Sequence, residues 1–555
     1  MKKNLIALFL LFTFVFQSTA WAQTSTKAKS AARNASDAIT AAQLKDYLYF
    51  VASDEMEGRN TPSRGLDITA KFMATLLSRW GFKPAGDNGT FFQKIALIRN
   101  QVEPEKAQVE INGQKLTYGT DFLADANSGA VNAPLVFAGN GWFVKSKNFD
   151  PLKDMDVRGK TVVVYSDSLP RGITPQELRA SGKQGEAWSD PGTYARQKGA
   201  AGLIVVATPN LQARWENLRR QREGGSLNVE KLNESIGGAP IPTVYLTEKA
   251  AAAMFEGETM NLAKISETYA STAPFNAFNF SPGKKLNVSV AAKKETVMTQ
   301  NVVALWEGGD AQLKNEMVAV GAHYDHDGVR PNALGADKIW NGADDDGSGT
   351  VAVLAMGEAL AKASKRPKRS ILLVWHAGEE KGLWGSEYFN KFPTVDIKNV
   401  VAQLNIDMIG RSKNPNNIIP CDRPGKPCNQ DLSAENEVYV IGSAMMSTKL
   451  GEVTKSINDS FLRLNYNYKY DDPKDTNKFF FRSDHYHYAV NGIPIVFWFD
   501  GVHEDYHQAS DHADKIDYQK MEKVSRTIFL TMWEIADLQT RPEIDKKLPA
   551  ELTRR

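Results

Sequence analysis

Met317-Val318-Ala319-Val320-Gly321-Ala322-His323-Tyr324-Asp325 runs from apolar residues straight into a histidine and a carboxylate. Three other stretches repeat that pattern. SILLVWHA (370–377) leads into Gly378-Glu379-Glu380, VAQLNI (401–406) into Asp407-Met408-Ile409-Gly410, and IPIVFWF (493–499) into a loop with His503, Tyr506, His507 and Asp511. Short apolar runs bounded by turn residues read as strands buried on both faces, as in a parallel sheet covered by helices. Open α/β sheets build their sites beyond the carboxyl ends of the strands, so these polar residues are predicted to share one sheet edge. A fifth segment, NGADDDGSG (341–349), leads into a helix expected to start near Thr350, which puts Asp344, Asp345 and Asp346 at its N-terminus. The fold class expected is α/β, with a mixed, mostly parallel sheet and helices on both faces.

Outward from this core, an amphipathic pattern begins at Leu44, a second helical stretch runs from Ile68 to Trp80, and a closing helix lines up Met521, Val524, Ile528, Met532 and Ile535. Residues 130–260 differ, with short β runs such as Thr161–Tyr165 and Leu203–Val206 alternating with loops. A chain of 555 residues, 42% hydrophobic, is too long for one compact core. The organisation predicted is a signal peptide over 1–22, a flexible leader over 23–40, the first part of a catalytic unit over 41–129, a β-rich insertion over 130–265, the remainder of the catalytic unit over 266–540 and a polar tail over 541–555.

The first residues carry Lys2 and Lys3, an apolar stretch from Leu5 to Phe16, and Ala20-Trp21-Ala22 as a small-x-small cleavage site. The apolar stretch is shorter than the ~20 residues that span a bilayer. Cleavage after Ala22 and export to the periplasm or exterior are therefore expected, with no transmembrane segment after cleavage. In such an oxidising compartment the two cysteines, Cys421 and Cys428 in a Pro/Gly loop, are expected to pair. The net charge of +2 gives no basic field for nucleic acid.

All eight histidines lie between His323 and His512, a confinement that points to chemistry. Each element also has a bland reading: an Asp run before a helix commonly only caps it, and a Glu-Glu pair after a strand is commonly solvated. Five segments delivering His or carboxylate to one edge are harder to explain that way. Mixed His and carboxylate ligands without thiol suit zinc, with other divalent ions such as manganese or cobalt open. The number of available ligands suits two metals bridged by a shared carboxylate, with one acid left to move protons.

GAHYDH (321–326), NGADDDGSG (341–349), AGEEKGLWGSEYF (377–389), NIDMIGR (405–411), RSDHYHYAVNGIP (482–494) and EDYHQASD (504–511), in this order, resemble the co-catalytic dizinc aminopeptidase family that also contains the glutamate carboxypeptidases. LYFVASDEMEGRNTPSRG (48–65) and RWGFKPAG (79–86) resemble that family's entry helices. The resemblance implies two Zn2+ per chain, one held by His323 and Asp407, the other by Glu380 and His507, with Asp345 between them. It implies Glu379 as general base, Asp325 as the carboxylate orienting the His323 imidazole, and Tyr506 as a hydroxyl facing the developing oxyanion. Ser483 and Asp484 take a supporting role, and His326, His376, His485, His487, His503 and His512 match no ligand position and are read as structural or rim residues. Substrates implied are peptides with a free N-terminus. The insertion resembles a protease-associated domain, through VRGKTVVVYSD (157–167) and ARQKGAAGLIVVATPN (195–210), with Gly199 and Ala200 at a turn.

A carboxypeptidase on the same fold stays open, because Arg411, Arg423, Lys426 or Arg482 could meet a substrate carboxylate. A one-zinc cyclase of N-terminal glutamine and a non-catalytic receptor fit less well, since the full ligand set and Glu379 are kept. Charge and motifs give no support to a sugar- or nucleic-acid-binding module. Phe479, Phe480 and Phe481 read equally as an apolar pocket and as core.

Overall fold

The computed structural model describes residues 31–553 apart from 168, 170–171, 233–237, 272–274 and 422–425, so the expected signal peptide and Arg423 lie outside the described residues. The chain divides into two compact units, one made of the residues up to Ile95 together with Met298–Arg555, the other of Ala96–Val297.

The first unit is built on a sheet that includes β1 (Ala292–Trp306), β2 (Met317–His323), β3 (Ser370–His376), β4 (Val400–Ile406), β5 (Glu437–Ile441), β6 (Asn465–Asn467) and β7 (Ile495–Phe499), in the order β1-β3-β2-β4-β7-β5-β6. β3, β2, β4 and β7 are mutually parallel, while β1 and β5 pair antiparallel with β3 and β7. The sheet is thus mixed and mostly parallel. Side chains alternate across a strand, and here both faces are apolar. Val318, Val320 and Ala322 of β2 join one buried cluster, whereas Met317 and Ala319 join another with Leu383, Phe389 and Tyr488. Covering the first face are α1 (Ala41–Val51), α2 (Arg64–Trp80), α3 (Gly349–Lys362) and α4 (Tyr518–Asp537). Thr40 and Ser63 cap the first two, their side-chain oxygens accepting the N–H of Gln43 and Leu66. The predicted stripe of α4, from Met521 to Ile535, is buried.

Two expectations at the ends are corrected. Residues 31–36 of the supposed loose leader are helical, and Ala32, Ala35 and Ile39 pack into the core, small apolar side chains filling space beside the helices. In the supposed polar tail, Leu552 is buried and Arg541 pairs with Glu316 at 2.7 Å.

In the second unit four strands, Leu135–Phe137, Thr161–Ser166, Gly202–Ala207 and Thr243–Leu246, form the parallel centre of a sheet. A helix over Pro191–Gln197 turns through Gly199 into the 202–207 strand, as read from the sequence. The unit extends beyond 130–265 at both ends, because Gln108–Ile111 and Leu286–Val290 pair with one another, Ile111 opposite Leu286. Cys421 and Cys428 form a disulfide with a Cα–Cα distance of 5.1 Å. Among the described residues no helix is long and apolar enough to cross a membrane.

One charged residue of α4 is buried. Lys520 donates to the Arg411 carbonyl (2.8 Å) and to Ser433 Oγ (2.7 Å), and its Nζ lies 3.1 Å from Asp500 Oδ1. It thereby ties the loop after β4 to the loop after β7. Burial raises the Asp500 carboxyl to about 7 against the pull of Lys520. The folded protein therefore keeps a proton on Asp500 where the unfolded chain has lost it, so this group's contribution to stability falls as pH rises from about 4 to about 7. Lys520→Met removes the compensating cation. We expect a loss of about 3–5 kcal/mol at pH 8, shrinking at pH 5 where Asp500 is protonated. Urea unfolding at the two pH values checks this, and a loss independent of pH would contradict it.

Candidate metal centre

Three consecutive aspartates precede α3, and each does something different. Asp346 Oδ1 accepts the N–H groups of Gly349 (2.9 Å) and Met408 (3.1 Å), so it caps α3 and ties it to the turn after β4. Asp344 Oδ1 accepts the Gly410 N–H at 2.7 Å, and its Oδ2 lies 3.2 Å from His503 Nε2. Asp345 lies between two imidazoles, Oδ1 3.2 Å from His323 Nε2 and Oδ2 3.1 Å from His507 Nε2. Behind them Asp511 Oδ2 accepts the main-chain N–H groups of Asp344 (3.0 Å) and Asp345 (3.2 Å), fixing the loop.

The parallel strands deliver the remaining groups. His323 is the last residue of β2, Glu379 and Glu380 follow β3, Asp407 follows β4, and His507 lies in the loop after β7. His323 Nε2 is 3.6 Å from Asp407 Oδ1 and 4.0 Å from Glu379 Oε2, while His507 Nε2 is 3.2 Å from Glu380 Oε2. The five residues expected as ligands are thus brought together, with Asp345 in the middle. Met408 (φ 58°) and His507 (φ 53°) both adopt the left-handed region, a strain that persists where surrounding structure over-determines the backbone.

Several expectations change. The His323 imidazole turns Nδ1 toward the Asp325 main-chain carbonyl (3.1 Å), not its carboxylate (3.8 Å), whose Oδ1 accepts the Glu379 N–H at 3.1 Å. Asp325 therefore holds the Glu379 main chain through its carboxylate and the His323 ring through its carbonyl. His326, read as structural or rim, is fully buried against Glu380 and Asp345. The other histidines contact protein groups: His376 meets Tyr488, His485 stacks on Phe497, His487 meets Ser386, His503 meets Arg411 and His512 meets Asp337.

A cavity opens onto Asp345, Glu379, Asp407 and His507, with Met408, Phe479, Phe497, Phe499 and Val502 as an apolar wall. The phenylalanine run splits, since Phe479 lines this wall while Phe480 and Phe481 are buried outside the lining. Tyr506 and Arg482 also line the cavity, and Arg482 Nη2 donates to the Tyr506 hydroxyl at 3.0 Å. Arg411 is committed elsewhere, 3.0 Å from Asp505 Oδ2.

The field of this pocket calls for positive charge. Burial lowers the His507 imidazole, but Asp345 and Glu380 outweigh it and raise it to about 9. Burial likewise disfavours a charged His323, yet Asp407 and Asp345 hold it well above its ordinary value. For Glu379, burial pushes the carboxyl well above the usual range, opposed by His323 and aided by Glu380 and Asp407. Asp345 Oδ2 and Glu380 Oε1 are buried without a hydrogen-bond partner. Imidazole nitrogens and carboxylate oxygens that converge without hydrogen-bonding one another form the donor set of zinc.

Beneath the site lies Arg59, fully buried and at φ 49°, a residue the sequence reading passed over. Its guanidinium donates to the carbonyls of Tyr324 (2.8 Å), Val51 (2.7 Å), Asn341 (2.7 Å) and Gly342 (2.8 Å), stitching the loops that carry His323 and Asp345. Burial lowers its pKa to about 10, with Asp325 and Asp346 pulling back, so the charge persists at neutral pH. Arg59→Met should cost at least ~3 kcal/mol, since each buried acceptor left unsatisfied costs ~1–3 kcal/mol. Arg59→Lys should recover only part, having fewer donors. Denaturant unfolding of the metal-free protein measures both, and a loss under ~1 kcal/mol for Met would contradict this role.

Comparison with known proteins places these observations. Residues 301–532 match the model of peptidase family M28. The chain is 35% identical over 125 residues to Leupeptin-inactivating enzyme 1 of Streptomyces exfoliatus, covering 22% of this chain and 25% of that protein. It is 30% identical over 214 residues to a probable leucine aminopeptidase 2 of Aspergillus oryzae, covering 38% of this chain and 36% of the relative. The chain thus spans between about a quarter and a third of the length of these curated relatives. In fold it resembles an aminopeptidase from Aneurinibacillus sp. strain AM-1, with a TM-score of 0.50, 16% identity, and coverage of 93% of this chain and 98% of that one. The segment that matches peptidase family M28 is therefore the one that contains His323, Asp345, Glu379, Glu380, Asp407 and His507.

Proposed function

We propose that this chain is an exported two-zinc aminopeptidase that hydrolyses the first peptide bond of peptides with a free amino terminus. The observation that carries the proposal is the Asp345 carboxylate, one oxygen on His323 and the other on His507. Zinc would be held by His323 and Asp407 on one side and Glu380 and His507 on the other, with Asp345 common to both. When bound, zinc supplies activation of water, whose pKa drops from 15.7 toward ~7, and polarisation of the peptide carbonyl.

The remaining steps belong to the chain. Glu379 is the acid left over from the ligand set and faces the cavity, so it takes the proton of the attacking water and returns it to the leaving amine. Tyr506 accepts from Arg482, which leaves its own proton to be donated to the developing oxyanion. The carboxylates of the cavity attract the ammonium of a free amino terminus, and the apolar wall of Phe479, Phe497 and Phe499 receives an apolar side chain. Relatives named as leucine aminopeptidases are consistent with that preference. Export is proposed from the 1–22 segment and is supported by the Cys421–Cys428 disulfide. The 96–297 unit is read as a protease-associated domain, on the resemblance of its 157–167 and 195–210 segments.

One observation favours a second reading. Arg482 lines the cavity, where it could bind a substrate carboxylate as a carboxypeptidase requires. Leucyl-p-nitroanilide and its N-acetylated form separate the two. We expect hydrolysis of the free-amine compound alone, abolished by a chelator and restored by zinc. Hydrolysis of neither compound, with C-terminal residues released from dipeptides instead, would replace this proposal by the second. Glu379→Gln should lower kcat by ~10²–10⁴-fold with metal content unchanged, whereas Asp345→Asn should lose metal as well as rate.

A further inference from the structure

His326 is unused by the reaction as drawn, yet unlike His485, which is equally buried and unbonded but stacks on Phe497, its ring faces two carboxylates. It is fully buried, and neither ring nitrogen has a hydrogen-bond partner. Leaving a polar group so costs about 1–3 kcal/mol, which calls for something that repays it. One face of the ring is closed, since a Cβ at Gly342 would come within 2.4 Å of His326 Cγ, and the His326 main-chain N–H donates to the Arg59 carbonyl at 3.3 Å.

The ring is held against the Glu380 side of the centre. Nδ1 lies 2.8 Å from Glu380 Oε1 and 3.9 Å from Asp345 Oδ2, and the ring stands perpendicular to His507 at 5.6 Å. Donor atoms of His326, Asp345 and Glu380 all fall within 4.8 Å of one another. The 2.8 Å approach is short enough for a hydrogen bond, but it is not directed as one. Two lone pairs that converge on a common third point meet side-on in this way.

We propose that His326 Nδ1 is a further protein ligand on the Glu380/His507 side of the metal pair. The inference rests on the two-metal reading above. That side then has two imidazoles against one on the His323/Asp407 side. The two positions become unequal, because imidazole favours zinc over harder ions such as magnesium and manganese. The Glu380 side fills first and holds its ion longer against a chelator.

The test uses the metal-free full chain, unaltered and as His326→Ala and His326→Asn, titrated with Zn2+ against a chromophoric chelator. The unaltered protein should take up two ions. Each variant should keep one at its original affinity and bind the other at least ~10-fold more weakly, with a smaller rise in Tm on adding zinc. Two ions bound at unchanged affinity by either folded variant would overturn the proposal and leave the two-metal reading standing. Uptake of fewer than two ions by the unaltered protein would overturn both. X-ray absorption of the unaltered protein with two zinc ions needs no variant: three imidazoles shared between the ions support the proposal, and two overturn it.

Discussion

Carboxylates crowd together at one end of a parallel sheet, where Asp344, Asp345, Asp346, Asp407 and Asp511 are all buried. Each buried charge must be matched by a partner or it will not stay ionised. Much of the local structure follows from how that demand is met. Main-chain N–H groups answer for Asp346, Asp344, Asp325 and Asp511. Arg411 and His503 answer from the loops after β4 and β7, and Arg59 supplies a fixed positive charge from below. Asp345 Oδ2 and Glu380 Oε1, which face the paired imidazoles, are among the buried oxygens left without a hydrogen bond, as are Asp325 Oδ2, Asp344 Oδ2 and Asp346 Oδ2.

The parallel arrangement makes this concentration achievable. Four strands entering from the same direction bring their carboxyl ends to one edge, so a single loop from each suffices to bring His323, Glu379 and Glu380, Asp407 or His507 there. The loops pay in backbone strain at Met408, His507 and Arg59, and rigid packing beneath them holds the strain in place. Lys520 contributes to that rigidity by joining two of the loops through a buried pair with Asp500.

Much of this was legible in the sequence, and for a physical reason. Strands buried on both faces must be apolar throughout, which is why β2, β3, β4 and β7 stand out as runs, and the residues that follow each run were placed at the edge by the sheet's polarity alone. Other features leave no such trace. Arg59 works through main-chain carbonyls as far as 283 residues away, acceptors that any residue provides. Asp325 meets the His323 ring through its main-chain carbonyl while its carboxylate accepts the Glu379 N–H, an arrangement set by the path of the loop. His326 sits three residues after His323 and differs in nothing visible from the histidines that serve the framework; only the packing of Gly342 and Glu380 around it sets it apart. The ends of the second unit were misplaced because its flanking strands, Gln108–Ile111 and Leu286–Val290, are short and find each other across the length of the insertion.

The central claim is that one carboxylate, Asp345, is shared by two metal ions. Anomalous diffraction at the zinc absorption edge, from crystals of the full chain equilibrated with zinc, addresses it most directly. The account predicts two peaks about 3.5–4 Å apart, one on each side of Asp345, the first beside His323 and Asp407 and the second beside Glu380 and His507. A single peak, or two peaks of which only one touches Asp345, would contradict it.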